Sequence, residues 1–184
     1  MLGVADDEQL PVRQARAGDS GAWDALLRRY QLPLYAYAFE LVRDEQASLD
    51  LVQDTFIAAV RHLAGLRDDA RFGSWLFGIA HQKCIQHWRK SGREEPLDDE
   101  SIERLAGAAD DPCELLIREE QEAEFMQALN QLPAPQRAVL LLHFIEDFPL
   151  DEIARITGAS LGTVKSRMHY GKKALRELLK DRST

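Results

Sequence analysis

The stretch PLDEIARITGASLGTVKSRMHYGKKALRELL, residues 149–179, decides the fold. A proline followed by Asp151 and Glu152 is typical of a helix N-terminus, where acidic side chains are favourable. Residues 158–160, Gly-Ala-Ser, then predict a tight turn. Apolar residues follow at steps of three and four and predict a second amphipathic helix over 161–179; its buried positions would be Leu161, Val164, Met168, Gly171, Leu175 and Leu178. Two helices joined by a short glycine-containing turn form a helix-turn-helix.

The second helix of such a motif enters the major groove of DNA with its N-terminus first. Residues 160–184 carry seven basic and two acidic side chains, which suits a phosphate-rich partner. We expect the outward face to hold Thr163, Lys165, Ser166, Arg167 and His169, followed by Lys172, Lys173 and Arg176. The alternative is an ordinary surface helix with a solvated basic face.

The net charge of −8 argues at first against a nucleic-acid partner, but the charge is unevenly distributed. Residues 94–122 contain twelve acidic and two basic side chains and account for most of it. Residues 93–114 also contain few large apolar side chains, so they predict a linker. We therefore predict two small domains, 13–92 and 115–182, joined by an acidic linker over 93–114 that leaves them free to move relative to each other.

Apolar residues recur at helical spacing throughout the N-terminal block, and no segment alternates with period two for long enough to form a sheet. The predicted fold class is therefore all-α. Pro33 predicts the first turn of a new helix. Farther along, one helix would bury Leu49, Val52, Phe56 and Ala59 and present a polar face of Asp50, Gln53 and Asp54.

Several motifs together resemble one family. Residues 132–137 (LPAPQR), 151–154 (DEIA) and 162–167 (GTVKSR) resemble the promoter-recognition domain of the extracytoplasmic-function (ECF) sigma factors of bacterial RNA polymerase, group IV of the sigma-70 family. Residues 50–56 (DLVQDTF) and 75–80 (WLFGIA) are similar, in order and spacing, to the other conserved domain of that family.

The resemblance implies a role in promoter recognition, DNA melting and transcription initiation, with three sets of contacts. Core RNA polymerase would bind Asp50, Gln53, Asp54 and Phe56. The melted minus-ten element would contact Arg67, Arg71, Phe72, Trp75, Gln82, Lys83, Gln86, Arg89 and Lys90. The duplex minus-thirty-five element would contact Ser160, Thr163, Lys165, Ser166, Arg167, His169, Lys172 and Arg176. Within this last set Arg167 is the expected base reader, because a guanidinium fork matches the edge of guanine.

The resemblance also implies an anti-sigma factor as a regulatory partner. Two departures from the family concern which promoter is read. Gln82 and Gln86 stand where the family usually has Asn and Asp, and residues 170–172 read Tyr-Gly-Lys instead of an Arg-Ala-Arg run.

Since one basic face binds DNA weakly at cellular salt, and the net charge is −8, we expect the protein alone to be a poor DNA binder.

Other functional classes find little support. The chain has no phosphate-binding loop, no GxSxG or HExxH motif and no carboxylate set beside a histidine base, so neither a catalytic residue nor a cofactor is predicted. His81, Cys84 and His87 recur at steps of three and could converge on a metal, but a buried cysteine on a groove-lining helix is the preferred interpretation. No metal is therefore predicted.

Two binding classes remain as alternatives. A helix-turn-helix regulator that is not a polymerase subunit would need a ligand pocket or a receiver sheet, and an anti-sigma-type interaction protein would not need a basic recognition helix. The two cysteines cannot form a disulfide framework. No secretory signal and no apolar run of about 18 residues is present, so we expect a cytoplasmic protein without membrane contact.

Overall fold

The computed structural model describes residues 10–92 and 119–182. The predicted linker, 93–114, lies outside these ranges. Eight α-helices are described, with two short 3₁₀ turns, Leu63–Gly65 and Asp69–Arg71, between the third and fourth. The helices are α1 (Val12–Arg16), α2 (Ser20–Val42), α3 (Glu45–His62), α4 (Phe72–Lys90), α5 (Glu119–Leu129), α6 (Ala134–Phe144), α7 (Leu150–Thr157) and α8 (Leu161–Arg182). The described residues contain no strand, and the all-α prediction is confirmed.

Helix α2 is continuous through Pro33, so the predicted helix start at that position is wrong. The Asp19 carboxylate caps the helix by accepting a hydrogen bond from the Ala22 amide at 3.0 Å. A proline inside a helix costs about 3 kcal/mol. Burial of large side chains on the same helix offsets that cost, since Leu26, Tyr30 and Leu34 are fully buried on both sides of the proline.

The buried stripe of α3 differs from the predicted one. Leu49 is 49% exposed, whereas Ser48 and Thr55 are fully buried. The Ser48 hydroxyl donates to the Asp44 carbonyl at 2.6 Å, and the Thr55 hydroxyl donates to the Leu51 carbonyl at 2.7 Å. Because these local bonds satisfy the hydroxyl groups, two polar side chains can occupy core positions.

The C-terminal domain is built around α6, which packs closely on α8. A Cβ atom added at Gly171 would lie 3.0 Å from Leu140 Cδ1, so the glycine allows the two helices to approach. Arg137 is buried and donates from Nη1 to the Leu132 carbonyl at 3.0 Å, which ties α6 to the end of α5. The same helix buries Leu140 and Leu142 completely.

Residues of the two domains pack against each other, a contact that the sequence analysis did not predict. Helix α7 crosses α4 where a Cβ atom added at Gly78 would lie 3.9 Å from Ile156 Cα. The rings of Phe77 and Phe148 meet edge to face beside this crossing, with centroids 5.3 Å apart. Both domains therefore contribute to one continuous core. None of the described helices is long and apolar enough to cross a membrane.

Candidate nucleic-acid interface

The structure confirms the helix-turn-helix: α7 begins one residue later than predicted, the turn 158–160 is as predicted, and α8 continues to Arg182, three residues beyond the predicted end. Gly158 ends α7 in the left-handed conformation, φ 68°, which glycine adopts without strain. The Ser160 hydroxyl oxygen then accepts a hydrogen bond from the Thr163 amide at 3.0 Å and so caps the start of α8. Pro149 precedes α7, and Arg155 pairs with Asp151 at 2.9 Å on its exposed side.

The predicted outward face of α8 is only partly exposed. Ser160 and Lys165 are exposed, and His169, Lys172 and Arg176 are half-buried. The expectation that all of these side chains face outward is wrong for three residues: Thr163, Ser166 and Arg167 are 8%, 9% and 5% exposed.

Different contacts account for the burial of Thr163 and of Arg167. The Thr163 hydroxyl lies 2.8 Å from the Ser160 hydroxyl and belongs to the cap of α8. Arg167 faces α4 of the other domain, where it lines a cavity of about 220 Å³ together with His81, Gln82 and Trp88. The first contact is local, whereas the second depends on how the domains pack.

Farther along α8, Lys172 has a contact that its sequence position does not indicate. Its ammonium group lies 5.6 Å from the centroid of the Phe144 ring, which is a cation–π contact. Gly171 stands beside it, in the Tyr-Gly-Lys segment where the family usually has Arg-Ala-Arg. Because a Cβ atom at this position would lie 3.0 Å from Leu140, close packing of α8 on α6 explains the glycine. A larger side chain at position 171 would separate α8 from α6.

A second candidate surface lies on α4 and the turn before it. Arg67, Arg71, Gln82, Gln86, Arg89 and Lys90 are exposed there, as a DNA-contacting set requires. Arg16 holds the preceding segment by donating to the Leu66 carbonyl at 3.0 Å and by pairing with Asp69. Several of these side chains border a groove of about 700 Å³ between α4 and α7, with Trp75 and Ile79 on its apolar wall.

Three members of the predicted minus-ten set are less accessible than expected. Phe72 is fully buried against Tyr30, with ring centroids 5.5 Å apart, so it belongs to the core and cannot stack on a base in this conformation. Trp75 is half-buried, and its ring lies 5.8 Å from that of Phe72. Lys83 is also half-buried and pairs with Asp54 of α3 at 3.6 Å.

The exposed face of α3 is a third candidate surface. Asp50, Gln53 and Asp54 lie on it as predicted, and Gln46 donates to Asp50 at 3.2 Å. Phe56, predicted to contact a partner, is 8% exposed and packs into the core instead.

Sequence reasoning missed the apolar part of the α3 surface. Leu49, Ile57 and Val60 are 49%, 42% and 57% exposed and lie on the same side as Gln53. Residues 49, 53, 57 and 60 recur at the spacing of one helix face, so the sequence contained a signal for this surface. The core residues of α3 lie on a neighbouring face at similar spacing, and Leu49 was therefore assigned to the core. An apolar strip flanked by carboxylates suits a partner helix with apolar and basic side chains.

Titratable groups are buried where the two domains meet. Burial, together with the nearby Arg167 guanidinium, lowers the pKa of His81 to about 4. The Tyr37 hydroxyl lies 2.8 Å from Nδ1 of that histidine. Burial raises the pKa of the Glu146 carboxyl to about 7, with Asp147 adding to the shift, and burial raises that of the Cys84 thiol to about 12.

These groups do not form a metal centre. Within residues 10–92 and 119–182, no group of three or more His, Cys, Asp or Glu side chains is arranged to hold a metal ion. His81 and Cys84 are buried, and His87 is half-buried. The buried polar groups instead mark the contact between the domains.

Comparison with known proteins identifies both halves of the chain. The family model for sigma-70 region 2 matches residues 26–94, and the model for sigma-70 region 4 matches residues 122–175. The RNA polymerase sigma-H factor of Pseudomonas aeruginosa is 32% identical over 97% of this chain and 96% of its own length. The ECF RNA polymerase sigma factor SigW of Bacillus subtilis is 26% identical over 92% of this chain and 95% of its own.

A solved structure agrees with these matches. The sigma factor RpoE of Bartonella quintana, crystallised with the anti-sigma factor NepR, has a TM-score of 0.62 to this structure. The two chains are 29% identical, and the similarity covers 84% of this chain and 96% of the other. The similarity therefore extends to the fold of both domains.

Proposed function

We propose a division of labour among α3, α4 and α8 for this chain, which belongs to the sigma-70 family of RNA polymerase sigma factors, in its ECF group. As a sigma factor it directs promoter recognition and transcription initiation. Its partners are core RNA polymerase, promoter DNA and an anti-sigma factor. In this proposal, residues 13–92 bind polymerase and the minus-ten element, residues 115–182 bind the minus-thirty-five element, and 93–114 link them.

Helix α3 is the proposed docking surface for core polymerase. Asp50, Gln53 and Asp54 supply its polar contacts, and the exposed apolar strip Leu49, Ile57 and Val60 supplies burial. The carboxylates would raise the rate at which a basic partner surface associates, because complementary charges attract during approach. The apolar side chains would add affinity, because they lose contact with water when the partner covers them. Phe56 supports this surface from the core.

Helix α4 and its preceding turn are the proposed minus-ten reader. Unpaired bases regain favourable energy by stacking or by entering a fitted pocket. The wall of Trp75 and Ile79 in the groove beside α4 offers such an apolar surface, and Gln82 and Gln86 offer amide donors and acceptors at its rim. Exposed Arg67, Arg71, Arg89 and Lys90 would neutralise the phosphates.

Helix α8 is the proposed minus-thirty-five reader. Arg167 would contact a base and Lys165, Lys172 and Arg176 the phosphates, with Ser160, Thr163, Ser166 and His169 near the groove. The single observation that supports this assignment is the Ser160-capped helix-turn-helix, whose reading helix begins with the GTVKSR segment. The function is regulatory, without catalytic residues, and the proposed place of action is the cytoplasm.

Promoter-dependent transcription tests the proposal directly. Purified chain is added to core polymerase on a set of promoter templates, and specific transcripts are counted. We expect transcripts to require both the chain and an intact upstream element. Specific DNA binding by the chain that does not depend on polymerase, together with no initiation, would favour a regulator that is not a polymerase subunit.

A further inference from the structure

The segment between α3 and α4 carries part of the proposed minus-ten reader on little regular structure. It contains two 3₁₀ turns of three residues each, Leu63–Gly65 and Asp69–Arg71. Each turn is closed by a backbone hydrogen bond of 3.1 Å, donated by the Leu66 amide in the first and by the Arg71 amide in the second. Such bonds fix the shape of each turn but not the position of one turn relative to the other.

Arg16, at the end of α1, joins the two turns. Its Nη2 group donates to the Leu66 carbonyl at 3.0 Å and pairs with the Asp69 carboxylate. Longer contacts run from Nε to the Leu63 carbonyl at 3.4 Å and from Nη1 to the second carboxylate oxygen of Asp69 at 3.5 Å. One side chain therefore contacts the first turn, the residue after it and the second turn at once. That set of contacts needs the several fixed donors of a planar guanidinium.

The helix that carries Arg16 is itself fixed. Because α1 is only five residues long, packing must hold it in place. Val12 and Ala15 are buried, and the Trp23 indole of α2 donates to the Ala15 carbonyl at 3.0 Å. Arg16 thus connects the segment 63–71 to α2, a helix that contributes to the core.

The residues that Arg16 holds border the groove beside α4. Leu66 and Arg71 line this groove of about 700 Å³ together with Trp75. Arg16 contacts the backbone of Leu66 but is not a lining residue. Its charge is balanced within the protein by the Asp69 carboxylate. This placement suits a side chain that shapes the groove rather than one that contacts a base or a phosphate.

We propose that Arg16 is a positioning residue for minus-ten recognition, which holds the segment 63–71 in the conformation that an unpaired base requires. The inference rests on the proposed function, in which this segment and α4 read the melted minus-ten element. A preformed site loses less conformational freedom when its ligand binds. Loosening it therefore reduces both the affinity for the correct base and the discrimination against a wrong one.

Transcription from promoter variants tests the proposal. The full chain with Arg16→Ala is combined with core polymerase on templates that differ at single positions of the minus-ten or the minus-thirty-five element. We expect about tenfold less discrimination between minus-ten variants, with unchanged discrimination between minus-thirty-five variants and unchanged affinity for core polymerase. Arg13→Ala, at an exposed arginine of the same helix, is the matched control and should change none of the three. Wild-type discrimination by Arg16→Ala, or an equal loss at both elements, would overturn the proposal.

Two further measurements separate positioning from a phosphate contact. Arg16→Lys keeps the charge but not the fork of donors, so it should behave like Arg16→Ala. The slope of log affinity of the holoenzyme for promoter DNA against log salt should be the same for Arg16→Ala and wild type, because no phosphate contact is lost. Full recovery by Arg16→Lys, or a slope reduced by about one, would make Arg16 a phosphate contact instead.

Hydrogen exchange of the free chain tests the contact independently of transcription. In Arg16→Ala, the amides of residues 63–71 should exchange about tenfold faster, while those of α3 stay as in wild type. If that variant does not fold, Asp69→Asn takes its place with the same expected directions, because it weakens the pair and leaves the bond from Arg16 to Leu66. A wild type that initiates at no promoter would overturn the proposed function and the recognition role with it. A wild type that discriminates between minus-ten variants, with unchanged exchange in the variant, would overturn the positioning role alone.

Discussion

Helix α3 and helix α8 carry the two most specific proposed surfaces, and they differ in accessibility. On α3, Gln53 and Asp54 are exposed, and Leu49 is 49% exposed although it is apolar. On α8, Arg167 is 5% exposed although it is charged. The exposed apolar strip is explained by a partner that covers it, whereas the burial of Arg167 is explained by the packing of α8 beside α4 of the same chain. The comparison shows that the proposed polymerase-binding face is accessible in this structure, whereas the proposed base reader is not.

The largest expected effect is on the open surface. Asp54→Arg should weaken binding to core polymerase by about 2–5 kcal/mol, because it replaces a carboxylate with a like charge opposite the proposed basic partner surface. The measurement is affinity for core polymerase, with circular dichroism to show that the helices are intact. Asp24→Arg, an exposed position on α2, is the matched control.

Lys83→Ala separates docking from the internal ion pair, since Lys83 lies 3.6 Å from Asp54. This variant removes the pair but leaves the carboxylate in place. If it weakens polymerase binding as much as Asp54→Arg does, Asp54 positions α4 rather than contacting polymerase. Unchanged affinity for Asp54→Arg would make the acidic face of α3 an ordinary solvated surface.

The next effect concerns the buried contact between the domains. Glu146 is 3% exposed, and burial raises the pKa of its carboxyl to about 7. A carboxyl with a raised pKa in the folded state binds its proton more tightly than in the unfolded chain. Its neutral form is therefore favoured at low pH, and stability is lost as the pH rises from about 4.5 to about 7.

Glu146→Gln should remove that loss, because the amide stays neutral. We expect the free energy of unfolding to rise by on the order of 2 kcal/mol at pH 8 and to change little at pH 4.5. Denaturant unfolding at the two pH values measures the difference. Glu177→Gln, at an exposed position on α8, is the control. A gain of equal size at both pH values would show that packing, rather than ionisation, is responsible.

Local signals made the helix-turn-helix predictable. Pro149 and the turn over residues 158–160 act within a few residues of sequence, and the structure has both as expected, whereas the Ser160 cap was not predicted. The stripe of α3 was harder to predict, because Thr55 satisfies its hydroxyl on its own helix and so behaves as a core residue. The burial of Arg167 could not be predicted, since it depends on α4, which is remote in sequence.

The covered surface of α8 leads to a prediction about sequence reading. Arg167→Ala should cost about 1–3 kcal/mol on the preferred promoter and flatten discrimination at one base pair. The assay is holoenzyme binding to a set of upstream-element variants. Lys165→Ala, an exposed neighbour, should instead weaken all variants together. An equal loss on every variant for Arg167→Ala would make Arg167 a phosphate contact.

The smallest expected effect is at Lys172, which separates affinity from specificity on the same helix. It lies more than a turn beyond Arg167, where a docked helix leaves the groove and passes phosphates. Lys172→Ala should weaken binding to all promoters alike and reduce the slope of log affinity against log salt by about one.

Since Lys172 also lies 5.6 Å from the Phe144 ring centroid, the variant should lose about 0.5–1 kcal/mol of stability. Lys173→Ala is the control for that stability loss, because Lys173 is exposed. A reduced stability with an unchanged salt slope would leave Lys172 as a structural contact of α8 with α6 and remove it from the DNA surface.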